Sequence, residues 1–149
     1  MIISKAHKSE LKEILDLQYI AYRSEAEIYN DNNIQPLTQN IEELEQEYEN
    51  HIILKAVIDD IIVGSIRAIE DTGICKVSKL IVNPNYQNQG IGTKLMECIE
   101  YMFNHTKRFE LFTGHKSVRN LYLYNKLGYK TYRMEVISKN LTLIYMYKE

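Results

Sequence analysis

The chain's most chemically informative segment is Lys79-Leu-Ile-Val-Asn-Pro-Asn-Tyr-Gln-Asn-Gln-Gly-Ile-Gly-Thr-Lys94. A strand-forming apolar run feeds a tight loop, and the loop opens a helix. At such a junction the N–H groups of the first helical turn lack intrahelical partners and point one way. The helix dipole adds partial positive charge among them. Gly90 and Gly92 have no side chains to block a close approach, so loop and helix start together can bind phosphate or pyrophosphate. Neither common nucleotide loop is present. A Walker loop needs four residues between its first glycine and Gly-Lys-Ser/Thr, and Leu95 stands where the third glycine of Gly-x-Gly-x-x-Gly belongs. Taken alone, Gly90-Ile91-Gly92 reads equally well as a structural turn.

The wider pattern says more. Gln87-x-x-Gly90-x-Gly92 after Leu80-Ile81-Val82 resembles the acetyl-CoA loop of the GCN5-related N-acetyltransferases, the GNAT family. Further on, Ser117-Val-Arg-Asn120-Leu-Tyr-Leu-Tyr124-Asn-Lys-Leu-Gly128-Tyr129 is similar to that family's C-terminal motif, an Asn/Ser followed by Leu-Tyr-x-Lys-x-Gly-Phe/Tyr. The two stand in the family's order and spacing, and the resemblance covers nearly the whole chain. It implies a GNAT fold in which the strand carrying Leu80-Ile81-Val82 splays from the strand carrying Phe109–Thr113. It implies acetyl-CoA as donor, with pantetheine against Leu80, Ile81 and Val82, chiefly the main chain of Leu80 and Val82. The pyrophosphate would lie on the N–H groups of Gln87, Asn88, Gln89, Gly90, Ile91, Gly92 and Thr93. Each such bond to a charged oxygen contributes about 1.5–3 kcal/mol. Ser117 and Asn120 are the further cofactor contacts implied. Gln87 replaces a frequent arginine, so the phosphates lean more on backbone donors, with Lys94 or a residue of the basic last third compensating.

The motif position of Tyr124 marks it as the catalytic acid. Transfer from a thioester to an amine expels a thiolate, and a phenol beside the sulfur can protonate it or hydrogen-bond to it. The general base is less marked. Many relatives carry a glutamate on the strand before the phosphate loop, but Cys75-Lys-Val-Ser-Lys-Leu-Ile-Val82 holds no carboxylate. Glu70 on the neighbouring strand, a water chain and His115 are the alternatives. The acceptor pocket should be built by residues 19–40 and the final hairpin. Tyr22, Glu25 and Tyr29 offer aromatic and carboxylate groups suited to a cationic amine.

These residues need a scaffold. Ile2–Ala6 reads as a strand and residues 9–22 or a little beyond as a helix, from the spacing of Leu11, Ile14, Leu15, Gln18, Tyr19 and Tyr22. Residues 23–37, with Asn30-Asp31-Asn32-Asn33 and Pro36, should break regular structure. A second helix starts near Thr38–Asn40, with Asn40 and Glu43 spaced as a capping box. Ile52–Ile58, Ile61–Ile69 and Ile74–Val82 form a strand meander. A helix with Ile91, Leu95, Ile99, Met102 and Phe103 inward follows the loop. Phe109–Thr113 is a strand and Ser117–Leu127 a helix closed by Gly128. Tyr129–Ser138 and Leu141–Tyr147 make the last hairpin. The order β-α-α-β-β-β-α-β-α-β-β gives an α/β class, a single mixed, mostly antiparallel sheet flanked by helices, in one domain over 1–149.

Composition bounds the function. The 149 residues are 45% hydrophobic and 26% charged, enough apolar content for one core. No apolar run approaches the roughly 20 residues of a membrane span, and the N-terminus has no signal-peptide core. A cytoplasmic protein is expected. Cys75, Cys98 and the four histidines are scattered, so no metal is expected. No basic, aromatic-laced stretch points to nucleic acid. Formal charge is −7 over residues 1–50, −1 over 51–104 and +6 over 105–149. An acidic first third suits a cationic acceptor and a basic last third the phosphates. Glu42, Glu43, Glu45, Glu47 and Glu49 taken alone read as a solvated helix face. The expected activity is direct acetyl transfer to a small cationic primary amine. The alternatives are a non-catalytic acyl-CoA sensor and a protein amino-group acetyltransferase. A homodimer is left open.

Overall fold

The computed structural model describes residues 1–149. Seven strands form one sheet in the order β1-β2-β3-β4-β5-β7-β6. They are β1 (Ile2–Lys5), β2 (Ile52–Ile58), β3 (Ile61–Asp71), β4 (Ile74–Val82), β5 (Arg108–Gly114), β6 (Lys130–Val136) and β7 (Thr142–Lys148). All pairings are antiparallel except β4 with β5. The helices are α1 (Leu11–Tyr29), the single turn α2 (Gln35–Thr38), α3 (Ile41–Asn50), α4 (Ile91–Met102) and α5 (Val118–Lys126). One apolar cluster lies under α4 and α5, with Val63, Ile66, Leu95 and Ile99 at its centre. The other lies under α1 and α3, with Leu11, Ile14, Leu44 and Ile53.

Two features of β4 create the site. Its parallel pairing with β5 lasts only from Ile74–Arg108 to Lys76–Glu110, after which the strands part. Its register with β3 also slips: between the pairs Ser65–Ile81 and Arg67–Ser78, Ile66 alone opposes Lys79 and Leu80. This β-bulge places Lys79 at φ +52°. The extra residue exchanges the faces of the strand. Cys75 and Val77 belong to the cluster beneath α4, and beyond the bulge Leu80 and Val82 do.

Helix α1 departs from the expected boundary. It runs on to Tyr29 rather than stopping near residue 22, and ends at Asn30 in the left-handed conformation, φ +49°. No helix breaker occurs in Arg23–Tyr29, and Ala26 and Tyr29 continue the buried stripe. At α3 the box forms in both directions: Asn40 Oδ1 accepts from the Glu43 N–H, and Glu43 Oε1 accepts from the Asn40 N–H, each at 2.9 Å.

Arg67 on β3 ties the α1–α3 layer to the sheet. Its side chain is fully buried. It donates to Glu47 Oε2 at 2.7 Å, to Gln39 Oε1 at 3.1 Å and to Gln18 Oε1. Gln18 also donates to the Pro36 carbonyl, and Gln39 to Glu47 Oε1. Burial lowers the Arg67 pKa, and the Glu47 charge opposes that. Glu47 is therefore not part of a solvated acidic face, and the helical spacing of the glutamates gave no sign of this long-range pairing. Losing one partner of a buried pair strands the other charge, at a cost of about 3–5 kcal/mol. Glu47 is half-buried, so Glu47→Ala should cost at the lower end of that range. Glu49→Ala, on the exposed side of the same helix, should stay within about 0.5 kcal/mol. Urea unfolding of both variants checks this; equal losses would make the Arg67 network energetically minor.

Candidate active site

Where β4 and β5 part, two cavities meet. Asn83 donates its N–H to the Val63 carbonyl at 2.8 Å. Alternation along the strand then turns the main-chain groups of Ile81 toward β3 and those of Leu80 and Val82 toward the opening. The first cavity, about 420 Å³, is bounded by Leu80–Val82, the loop from Tyr86 to Thr93 and the start of α5. Gly90 caps α4 at φ +80°, and the cap makes no side-chain hydrogen bond. The first-turn N–H groups are left facing the cavity. A Cβ on Gly90 would meet no atom within 4 Å, so the space before the helix end is open. At Gly92 a Cβ would lie 3.3 Å from Leu123 Cδ2, a close packing of α4 on α5 that glycine permits. Arg119 lines the cavity and donates to Asn88 Oδ1 at 3.0 Å, which brings a cation to the loop.

The second cavity, about 570 Å³, is enclosed by the end of α1, residues 31–36, β4, β5 and the β6–β7 turn. Tyr22, Glu25, Leu80, Ser117 and Asn120 line both cavities. Tyr124 stands in the wall of the second. It is 5% exposed, and its ring lies 6.0 Å from that of Tyr129. Burial raises its pKa, and the charges of Tyr22 and Glu25 raise it further. Burial likewise pushes the Tyr22 phenol up to about 12. Lys79 also lines this cavity; burial and then the Arg67 charge lower its pKa, against Glu47.

A directed hydrogen-bond chain joins α1 to the start of α5. The Lys116 N–H donates to Tyr29 Oη at 2.9 Å. Tyr29 Oη and Ser117 Oγ are 2.8 Å apart, and Ser117 Oγ donates to Glu25 Oε2 at 2.8 Å. Gly114 makes room for it, since a Cβ there would overlap the Tyr29 ring and hydroxyl.

A family model described as an acetyltransferase (GNAT) domain matches residues 21–149. The chain belongs to the GNAT family. It is an acetyl-CoA-dependent N-acetyltransferase. No curated protein sequence matches it. Solved GNAT structures share the fold at low identity. The PaiA N-acetyltransferase of Thermoplasma acidophilum, in complex with coenzyme A, superposes with TM-score 0.81 at 18% identity, covering 97% of this chain and 96% of that one. The ribosomal-protein-S18-alanine N-acetyltransferase of Escherichia coli gives 0.81 at 14% identity, with 98% and 91% covered. An aminoglycoside 6′-N-acetyltransferase complexed with coenzyme A gives 0.76 at 21% identity, with 99% and 96% covered.

On this GNAT chain most residues singled out from sequence converge on the two cavities. Leu80, Ile81, Val82, Gln87, Asn88, Gly90, Ile91, Gly92 and Thr93 line the first, whereas Gln89 lines neither. Tyr29 and Tyr124 line the second, and Tyr22, Glu25, Ser117 and Asn120 line both. Glu70 is a correction. It pairs with Cys75, and from there to Leu80 is roughly 16 Å at about 3.3 Å per residue. Its carboxylate accepts from His105 Nε2 at 2.6 Å, it lines neither cavity, and a direct base must reach hydrogen-bond distance. His115 Nδ1 accepts the Thr142 N–H at 3.0 Å, and this residue too lies outside both cavities. The hydroxyls of Tyr29 and Ser117 are engaged with each other, which ties them to holding Glu25 in place. Lys94 lies beside Glu97 at 3.8 Å, so Arg119 is the cation at the loop. Arg119 and Lys79 were not singled out; the basic last third pointed only generally to the first.

The first cavity fits coenzyme A on its own geometry: a glycine cradle, an uncapped helix start, a guanidinium and an unpaired strand edge. Saturating coenzyme A at 100 times its Kd should add about 2.7 kcal/mol of stability, read as a rise in Tm. Gly90→Glu should abolish that rise through bulk and like charge. A full shift in the variant would place the phosphates elsewhere.

Proposed function

We propose that this enzyme acetylates the primary amine of a small molecule by direct transfer, both substrates being bound together. Two cavities meet at a wall shared by Tyr22, Glu25, Leu80, Ser117 and Asn120, with Tyr124 in the wall of the second, and this carries the reading. The second cavity closes on several sides, by α1, the residue 31–36 segment and the β6–β7 turn, which favours a compact acceptor over a protein chain. Acetyl-CoA, when bound, supplies the acetyl group as a thioester. Leu80 and Val82 offer main-chain partners at the opening, and the α4 start with Arg119 holds phosphate charge.

Glu25, held by Ser117, is the carboxylate whose charge reaches Tyr22 and Tyr124. It orients the incoming ammonium. It pairs with the cation and takes no proton from it. The amine therefore reacts from its free-base fraction. Its nitrogen bonds to the carbonyl carbon, the carbon–sulfur bond breaks, and the nitrogen loses a proton to water, from which the released thiolate is protonated. Tyr124 stabilises the departing thiolate. Because burial makes its phenol a weaker acid than a thiol near ~8.5, it acts by a hydrogen bond that strengthens as charge grows.

Thiol release across an amine panel tests the reading. Tyr124→Phe should lower kcat by about 10²–10³-fold while acetyl-CoA affinity changes little. With the Tyr124 pKa raised, the phenol stays protonated through pH 10. The parent's kcat/KM should therefore rise with acceptor deprotonation and show no falling limb in that range. Equal kcat in parent and variant would assign Tyr124 to packing, and a falling limb below pH 10 would contradict its buried state.

A further inference from the structure

Lys79 occupies a backbone position that favours glycine. At the left-handed position of a bulge glycine is the usual residue, because a side chain there costs about 1–2 kcal/mol. The other non-glycine residues with positive φ, Asn30, Asp59, Asp60, Thr72 and Asn88, all lie in turns. Lys79 alone is inside a strand, and that strand borders the opening. Its half-buried ammonium forms no ion pair. The nearest carboxylate by charge, Glu47, gives one oxygen to Arg67 and the other to Gln39.

The same cavity holds the opposite sign elsewhere. Glu25 and Asp31 line it from α1 and the segment that follows. Much of the remaining wall is apolar, with Val77, Leu111, Phe112, Ile137, Leu141 and Leu143. The cavity thus offers an unpaired cation next to Leu80, two carboxylates toward α1, and an apolar chamber. A plain alkylammonium would meet an uncompensated lysine beside the thioester strand. A molecule bearing an anion close to its amine would pair with it.

We propose that Lys79 binds the acceptor's carboxylate, and that the acceptor is an α-amino acid with an apolar side chain. This rests on the acetyl-transfer reading and names its substrate class. The ammonium faces Glu25, the carboxylate faces Lys79, and the side chain fills the apolar chamber.

The test is a set of apolar L-amino acids, each beside its own amide. The amide keeps the amine and loses the carboxylate; its amine is also the less basic, so chemistry alone favours it. The parent should prefer each acid over its amide by at least tenfold in kcat/KM, through KM. Lys79→Met removes the charge and keeps a similar stem. Lys79→Gly suits the backbone and guards against a folding artefact. Both should reduce the acid-to-amide ratio at least tenfold. Independently of turnover, the amino acid should raise the Tm of the parent further in the presence of coenzyme A, and should fail to do so with either variant. Amides matching or exceeding the acids in the parent would overturn the proposal, as would an unchanged ratio in both variants. An equal loss of kcat on acid and amide would make Lys79 a base or a structural residue and would equally overturn it. Coenzyme A binding without thiol release to any amine would instead remove the acetyl-transfer reading beneath it.

Discussion

Everything the enzyme does follows from the parting of β4 and β5. A parallel pair normally continues its ladder, and here it stops after three residue pairs. The main-chain groups of Leu80 and Val82 then face an opening instead of a strand. Unpaired backbone groups are costly when buried, so the opening is stable only where solvent or a ligand can enter it. The bulge at Lys79 is the local cause of the altered face. It exchanges the faces of β4 midway, so that one strand serves the core beneath α4 at both ends while presenting Lys79 to the opposite side.

The opening is braced from both sides of the sheet. On one side the Arg67 network fixes α1, α2 and α3, and with them Tyr22 and Glu25. On the other, Gly92 lets α4 pack closely on Leu123 of α5, which aligns the free N–H groups with the cavity and sets Tyr124 in its wall. The Tyr29–Ser117–Glu25 chain crosses the gap and ties the two sides together. The charge asymmetry of the chain is realised only in part. Arg119 brings the basic last third to the phosphate loop, whereas Glu47 is taken up by Arg67 and does not face an acceptor.

Much of this was legible in the residues. The bounds of β4, Ile74–Val82, agree with the β-branched run between Gly73 and Asn83-Pro84, because local propensity and turn chemistry act there together. The turn before α4 and the start of that helix were legible because glycine spacing and a helix start are local signals. The end of α1 was misplaced because burial of Ala26 and Tyr29 against distant strands, not local sequence, carries the helix to Asn30. Glu70 was misplaced for a related reason: adjacency of two strands says nothing of where along them a residue lies, and the register put it at the far end. The partners of Arg67, Glu25 and Ser117 are all distant in sequence, and no spacing rule reaches them. The bulge left no trace, since a lysine stands where glycine would have marked it.

The most direct measurement is a crystal structure of the enzyme with coenzyme A. Pantetheine should lie between β4 and β5 on the main chain of Leu80 and Val82. The phosphates should lie at the Gly90 helix start near Arg119, and the sulfur within hydrogen-bond reach of the Tyr124 hydroxyl. A sulfur turned away from Tyr124, or a coenzyme bound outside the β4–β5 opening, would contradict this arrangement.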